Sequence, residues 1–258
     1  MKYILNGDVA FVGDIHGRVS TAAHHINKAV KDTKVKHLVF LGDIGYGFFE
    51  EDILETQFLY NFDDRFQIWF IRGNHDNPAR WKEINLAYAD SNLHFVEDND
   101  ILNISGRNYL VVGGGISIDR EYRQEGYTYW SDEFPSTPII PEGGVYGILS
   151  HSGICPPNIP EGNHHLIING DQSLKDDVKR EKDLFYKLLQ DAKPKEWYYG
   201  HYHNHSFFEK EGCHFFNLDI NEVFIKDDTD EYLKEIYDTS YEYTTENVGS
   251  LNGRDISD

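Results

Sequence analysis

The chain of 258 residues carries 44 acidic and 24 basic residues, a formal net charge of −20, with 40% hydrophobic and 14% aromatic residues. These proportions indicate a globular protein rather than a disordered one. The negative charge argues against loose binding to duplex nucleic acid or anionic lipid. Two cysteines are too few for a disulfide framework, and no apolar run approaches membrane-spanning length. We therefore expect a soluble, cytoplasmic protein without a membrane partner.

Short apolar runs recur along the chain, and most of them end at a glycine or serine followed by Asp, Asn or His. They predict strands at residues 9–12, 37–41, 67–71, 145–149 and 197–199, with helices at 21–31 and 52–62 between the early strands. A strand, a glycine-bearing turn and a helix in succession are typical of α/β folds. Ligands in such folds bind at the carboxyl ends of the strands.

The second half of the chain has a different spacing. It predicts close strands at 93–95, 101–104 and 109–112, a helix at 173–191 that ends before Pro194, and a hairpin formed by 206–209 and 213–218. The segments 117–141 and 155–171 lack such patterns and are candidate functional loops. We predict one domain over residues 1–226, with two packed sheets and outer helices, and a partly disordered acidic extension over 227–258.

Side chains that bind metals stand at five of these strand ends. They are Asp14 with His16, Asp43, the run Asn74–Asp76, His151, and His201 with His203. Oxygen donors mixed with imidazoles suit a borderline dication such as Mn²⁺, Fe²⁺ or Zn²⁺. Seven donors are too many for one tetrahedral ion, and they suffice for two sites that share a bridging carboxylate.

The ordered series GDIHG, GDIGYG, GNHD, SHSG and GHYH resembles the five-motif signature of the calcineurin-like metallophosphoesterases. The resemblance implies a four-layer α/β (α+β) sandwich of two mixed β-sheets flanked by helices, with a dimetal site at the carboxyl ends of the strands. It implies hydrolysis of phosphate esters by in-line attack of a hydroxide that bridges two divalent metals. Manganese is the favoured metal, with iron or zinc as alternatives.

Carried over residue by residue, the resemblance implies two metal sites. Asp14, His16 and His203 would hold one ion, Asn74, His151 and His201 the other, and Asp43 would bridge both. His75 would protonate the leaving group, and Arg72 would contact the phosphoryl oxygens. The candidate substrate contacts are Arg72, Asn74, Arg120, Arg123 and Tyr46.

The second motif departs from that of the phosphoprotein phosphatase branch, which reads GDxVDRG and uses its second aspartate to orient the histidine of the third motif. Tyr46 stands in the place of that aspartate here, and the following arginine is missing. The orientation of His75 is therefore left open. The first motif and the run from Arg72 to His75 nevertheless lean towards that branch. The HxHxDH motif of the metallo-β-lactamase fold does not occur.

A local pattern follows the third motif. The run GGGISIDR, with Arg123, Trp130 and Glu133 after it, is similar to a segment of small bacterial and phage metallophosphoesterases. Such a loop could bind a phosphate and stack on a base. The competing interpretation is that its arginines form ion pairs within the protein and that Trp130 anchors the loop.

Three functions remain open from the sequence. A phosphomonoesterase acting on phosphopeptides or small molecules is favoured. The alternative is a phosphodiesterase acting on nucleotides, cyclic nucleotides or short oligonucleotides. A metal-binding scaffold without turnover is disfavoured, because all seven ligands and His75 are present. The sequence indicates a phosphate-ester substrate, and it does not indicate an oligomeric state.

Overall fold

The computed structural model describes residues 1–47, 51–88, 90–159 and 171–227. The acidic extension beyond residue 227 and residues 160–170 of the second candidate loop lie outside the described residues. In chain order the elements are β1 (Lys2–Leu5), β2 (Val9–Val12), α1 (Val19–Ala29), β3 (His37–Phe40), α2 (Glu51–Asn61), β4 (Gln67–Phe70), α3 (Pro78–Ala87), β5 (Leu93–Phe95), β6 (Ile101–Ile104), β7 (Arg107–Val112), β8 (Gly147–Ser150), α4 (Gln172–Ala192), β9 (Glu196–Tyr199), β10 (Ser206–Lys210), β11 (Cys213–Asn217) and β12 (Val223–Lys226).

The strands form two mixed sheets. One has seven strands in the order β1-β6-β7-β8-β9-β11-β10, and the other has five in the order β12-β2-β3-β4-β5. In the five-stranded sheet β2, β3, β4 and β5 are parallel, and β12 runs antiparallel to β2 at the edge. In the seven-stranded sheet β7, β8, β9 and β11 are parallel, whereas β10 pairs with β11 as the predicted antiparallel hairpin.

The two sheets face each other through aromatic side chains. The ring of Phe11 on β2 stacks on Tyr198 of β9 with 4.2 Å between the ring centroids. Helices cover the outer faces: α1, α2 and α3 share an apolar cluster with the five-stranded sheet, and Phe185 of α4 packs against Trp197 of the other sheet. Burial of these apolar faces on both sides of each sheet drives the layered fold. The predicted sandwich of two mixed sheets with outer helices is confirmed.

Three elements were not predicted from the sequence: β1, α3 and β12. The signal for α3 was nevertheless present, because Asn77 caps the helix by accepting a hydrogen bond from the Ala79 amide and Pro78 occupies the first turn. The three predicted helices agree with α1, α2 and α4 to within two residues at each end. None of the helices in the described ranges is long and apolar enough to cross a bilayer.

Candidate metal centre

The seven candidate ligands follow strands that are neighbours in the two sheets. Asp14 and His16 follow β2, Asp43 follows β3, and Asn74 follows β4 of the five-stranded sheet; His151 follows β8, and His201 and His203 follow β9 of the other sheet. Because β2, β3 and β4 are parallel, and so are β8 and β9, their carboxyl ends emerge at one edge of each sheet. Contacts between the two sets of side chains show that these edges lie together.

One group of donors consists of Asp14, His16, Asp43 and His203, with one ligand atom from each within 4.8 Å of the others. The Nε2 atom of His203 lies 3.0 Å from Asp14 Oδ2 and 2.9 Å from His16 Nε2. The Oδ2 atom of Asp43 lies 3.9 Å from His16 Nδ1. Two carboxylates and two imidazoles therefore converge on one small volume.

A second group of donors lies on the other side of Asp43. The Oδ1 atom of Asn74 lies 2.8 Å from His151 Nε2 and 3.0 Å from His201 Nδ1. The Oδ1 atom of Asp43 lies 3.3 Å from His151 Nε2. Asp43 thus presents one carboxylate oxygen to each group, which is the arrangement expected of a bridging ligand.

The tautomer of His151 is set by the main chain. Its Nδ1 lies 2.8 Å from the carbonyl oxygen of Leu41, the residue between β3 and the second motif. A carbonyl only accepts hydrogen bonds, so Nδ1 carries the proton and donates it. The lone pair of Nε2 is then free to bind a metal.

The electrostatics of Asp43 favour bound cations. Burial, and next the negative charges of Asp14 and Asp76, raise the pKa of Asp43 well above its ordinary value. Its Oδ2 atom is buried and has no hydrogen-bond partner among the described residues. A buried carboxylate in this position needs positive charge beside it to stay ionised at neutral pH. The donor set and this orphaned oxygen therefore fit a pair of divalent cations.

The backbone is strained at four of the seven candidate ligands. The φ angles are 45° at His16, 49° at Asp43, 67° at His201 and 46° at His203. Residues other than glycine seldom adopt this left-handed backbone conformation, and such strained residues are common at functional sites. The strain lets each turn aim its side chain back over the carboxyl end of its strand.

Glycines bring the motif loops into contact. A Cβ atom at Gly200 would lie 2.1 Å from Asp14 Oδ1, so only glycine allows the fifth motif to pass over the first. We expect Gly200→Ala to displace Asp14 and to lower manganese affinity at least about 10-fold, measured by titration against a competing metal-binding dye. Gly212→Ala is the control, since Gly212 has a φ of +73° but nothing within 4 Å. It is expected to cost about 1 kcal/mol of stability and to keep the wild-type affinity.

Asp76, which follows His75, joins two of the motif loops. One of its oxygens accepts hydrogen bonds from the amides of Gly45 and Tyr46, both at 2.9 Å, and the other accepts from Gly73 at 2.7 Å. This bridging role of Asp76 was not predicted from the sequence. Its side chain closes the second and third motifs against each other and so positions Asp43 and Asn74.

The amide of Asn74 is oriented by two residues of the 117–141 loop. Its Nδ2 donates to Ser117 Oγ at 2.9 Å, and Ser117 Oγ donates in turn to Glu133 Oε2 at 2.6 Å. Because Ser117 accepts from Nδ2, the amide must turn Oδ1 towards His151 and His201. Ser117 and Glu133 belong to the local pattern noted in the sequence, but their role became visible only in the structure.

We expect Ser117→Ala to lower metal affinity at the Asn74 side of the centre about 10- to 100-fold, the usual cost of losing a group that orients a metal ligand. Two-site titration with Mn²⁺ would measure it. Ser91→Ala is the matched control, because Ser91 hydrogen-bonds to the carbonyl oxygen of Tyr88 rather than to the centre. Equal affinities for wild type and Ser117→Ala would contradict the orienting role.

His75 lies against the bridging residue. Its backbone amide donates to Asp43 Oδ1 at 2.9 Å, and its Nε2 lies 3.8 Å from Asp43 Oδ2. The ring is largely buried, and burial followed by the positive charge of Arg123 lowers the pKa of His75 to about 2. The ring therefore faces the metal centre without belonging to either donor group.

Arg72 is held by protein groups. Its Nη2 donates to Asp98 Oδ2 at 3.0 Å and its Nη1 to the carbonyl oxygen of Glu133 at 3.3 Å, and the residue is 6% exposed. Burial alone would raise the pKa of Asp98, but Arg72, Ser136 and the Gly113 amide outweigh it and lower that pKa. The ion pair of Arg72 and Asp98 therefore stabilises the turn that precedes Asn74.

We expect Asp98→Asn to destabilise the protein by about 3 kcal/mol at pH 7, because it leaves a buried guanidinium without its counter-charge. The pKa of Asp98 is lower in the folded state than the unfolded value of 3.8. The stabilisation is therefore complete above the unfolded pKa and is lost as the pH falls through the folded pKa. Urea unfolding of both proteins from pH 7 to pH 3 would measure it, and a gap that stayed constant with pH would contradict it.

The remaining candidate substrate residues have other contacts. Arg120 donates to Asp177 at 2.7 Å and to Ser173 at 2.8 Å, both on α4. The ring of Tyr46 is buried in the apolar cluster beside the five-stranded sheet. Trp130 is also buried, with its ring against Gly47, so it anchors the 117–141 loop on the second motif.

A paired donor set at the carboxyl ends of the strands is suited to two divalent cations, as in dinuclear metallohydrolases. The profile of the calcineurin-like phosphoesterases matches residues 7–205. The match covers most of the chain, and the protein therefore belongs to the calcineurin-like phosphoesterase family.

Several solved structures are similar to the chain. A Thermus thermophilus protein matches 86% of this chain and 99% of its own at 10% identity, with a TM-score of 0.47. An archaeal phosphodiesterase matches 83% of this chain and 84% of its own at 12% identity, with a TM-score of 0.39. A phosphopantetheinyl hydrolase of Mycobacterium tuberculosis matches 83% and 90% at 11% identity, with a TM-score of 0.38. No curated protein matches the sequence.

Proposed function

We propose that the protein hydrolyses phosphate esters at the Asp43-centred site with two divalent cations, manganese being the favoured metal. The observation that carries the proposal is the position of Asp43, whose two oxygens face two separate donor groups. Asp14, His16 and His203 would hold one cation, and Asn74, His151 and His201 the other. Two such cations would acidify a water molecule and neutralise the phosphoryl oxygens.

The protein's own residues supply orientation and a hydrogen-bond donor. Asp43, the Asn74 amide and the strained turns hold the donors in place before any cation binds, so little reorganisation accompanies binding. His75 faces the same volume, with Nε2 3.8 Å from Asp43 Oδ2. From this position its ring N–H would donate a hydrogen bond to the oxygen of the departing alcohol, which lies opposite the attacking water in an in-line displacement, and so stabilise the charge that develops there.

Two substrate classes follow from different observations. The first motif and the run from Arg72 to His75 favour phosphomonoesters, such as phosphopeptides or small molecules. Arg72, Arg120 and Arg123 each form an ion pair with a carboxylate, so their charges are already balanced within the protein. This arrangement favours phosphodiesters as substrates. A monoester dianion gains most from an additional guanidinium, whereas a diester carries one charge less. Nucleotides, cyclic nucleotides and short oligonucleotides are the candidate diesters.

The test is turnover of p-nitrophenyl phosphate and of bis-p-nitrophenyl phosphate by the manganese-loaded protein, followed by a panel of phosphopeptides, nucleotides and cyclic nucleotides. The higher kcat/KM identifies the substrate class. Asp191→Asn is a control of matched chemistry, since Asp191 is an exposed helix residue paired with Lys187. Absence of turnover on the whole panel, with two metals per chain confirmed by elemental analysis, would overturn the proposal in favour of a binding scaffold.

A further inference from the structure

The side chain of Arg123 reaches from the 117–141 loop to the histidine of the third motif. Its Nη1 lies 3.2 Å from His75 Nδ1 and 3.3 Å from the carbonyl oxygen of Thr128. From the sequence, Arg123 was a candidate substrate contact. In the structure its guanidinium is directed at a catalytic candidate of the protein itself.

Asp119 fixes the plane of that guanidinium. The Nε and Nη2 atoms of Arg123 donate to the two carboxylate oxygens of Asp119, each at 2.6 Å. A bidentate pair of this kind sets direction as well as distance, because the two hydrogen bonds are parallel and the guanidinium is planar. Asp119 thereby aims the remaining nitrogen, Nη1, at the ring of His75.

The chemistry of the contact decides which nitrogen of His75 carries the proton. A guanidinium has five donors and no acceptor, so Nδ1 of His75 must accept the hydrogen bond with its lone pair. The proton of the imidazole then resides on Nε2, the nitrogen that lies 3.8 Å from Asp43 Oδ2. A contact to one ring nitrogen thus determines what the other presents to the metal centre.

We propose that Arg123 is a positioning residue that fixes His75 as the Nε2–H tautomer and directs that N–H into the centre. In the phosphoprotein phosphatase branch, the second aspartate of the second motif orients this histidine, and Tyr46 stands in its place here. Arg123 has the corresponding role, but the hydrogen bond runs in the opposite direction. An aspartate accepts from Nδ1, whereas Arg123 donates to it. An Nε2–H held in this way donates to an oxygen of the substrate, and a neutral imidazole N–H can polarise an oxygen effectively.

The catalytic part of this inference rests on the proposed function, whereas the tautomer does not. The direct test is therefore nuclear magnetic resonance of ¹⁵N-labelled, metal-free protein, in which long-range correlations show which ring nitrogen bears hydrogen. The His75 signals are assigned from their loss in His75→Gln. We expect protonated Nε2 and bare Nδ1 in the wild type and a mixture of tautomers in Arg123→Met, which has no donor.

Kinetics provide the second measurement. We expect Arg123→Met to lower kcat about 10- to 100-fold, as for loss of other groups that orient a site residue, with KM changed less than about 3-fold. Arg123→Lys keeps a donor and should restore part of kcat. Asp119→Asn should act in the same direction as Arg123→Met, because it frees the guanidinium. Arg180→Met is the matched control, since Arg180 packs over Phe134 of the same loop, 3.8 Å from the ring centroid.

Each result decides the inference. An unchanged tautomer in Arg123→Met would overturn it, and so would a raised KM with unchanged kcat, which would make Arg123 a substrate contact. Should the wild type hydrolyse no ester at all, the proposed function fails while the tautomer measurement still stands. A Nε2–H signal that depends on Arg123 would then support the positioning role by itself.

Discussion

Asp43→Asn is expected to lower kcat/KM by more than about 100-fold, beyond the cost of losing a group that merely orients a ligand. The carboxylate faces both donor groups, at 3.9 Å from His16 Nδ1 and 3.3 Å from His151 Nε2. An amide presents one oxygen instead of two and carries no charge, so it cannot serve two cations. Elemental analysis should find fewer than two metals per chain, alongside the loss of turnover.

The same variant should be more stable than the wild type when both are stripped of metal. Burial and the charges of Asp14 and Asp76 penalise the ionised form of Asp43, and an amide avoids that penalty. Thermal unfolding in a chelator is expected to show a higher Tm for Asp43→Asn, and excess Mn²⁺ should reverse the order. Asp191→Asn should change neither metal content nor turnover. Wild-type activity with two bound metals in Asp43→Asn would refute the bridging assignment.

His75→Ala is expected to slow hydrolysis of an alkyl phosphate ester by about 10²- to 10³-fold, the range for loss of one hydrogen-bond donor to an oxygen that gains charge in the transition state. The loss should be smaller for p-nitrophenyl esters, because p-nitrophenolate is a stable anion that gains less from a donated hydrogen bond. Metal content should not change, since His75 belongs to neither donor group. The measurement is kcat on a series of esters that differ only in the acidity of the leaving alcohol.

His25→Ala is the control for that series, because His25 is an exposed histidine on α1. It should match the wild type on every ester. An equal loss of rate on good and poor leaving groups in His75→Ala would exclude a role at the leaving oxygen. Loss of a metal ion from His75→Ala would instead make His75 a ligand.

The outline of the site was predictable because its signals are local. An apolar run followed by glycine and a polar side chain marks the end of a strand, and this pattern occurs before Asp14, Asp43 and His201. Five such ends in order carried the family resemblance, which in turn implied two mixed sheets and the seven donors. The strands β1 and β12 escaped prediction because pairing with strands distant in the sequence determines them. The helix α3 escaped it although the residues of its N-terminal cap were present in the sequence.

The partners of the arginines could not be predicted. Arg72 and Arg123 both occur near motifs, and the sequence made both of them candidates for substrate binding. Their contacts with Asp98 and Asp119 depend on how a loop folds over the third motif. Side-chain contacts of this kind carry no periodic signal, so only coordinates reveal them.

The sequence by itself determined the family, the two-sheet architecture and the identity of the candidate metal donors. Local residue patterns are sufficient for this, because they mark the strand ends and the order of the motifs. The tertiary structure alone decided which donors meet, as in the contact of Asp14 with His203 across 189 positions of the chain. It also decided that Ser117 orients Asn74 and that Arg123 reaches His75. Those relations arise when two sheets pack together, and packing is a property of the whole chain rather than of any segment.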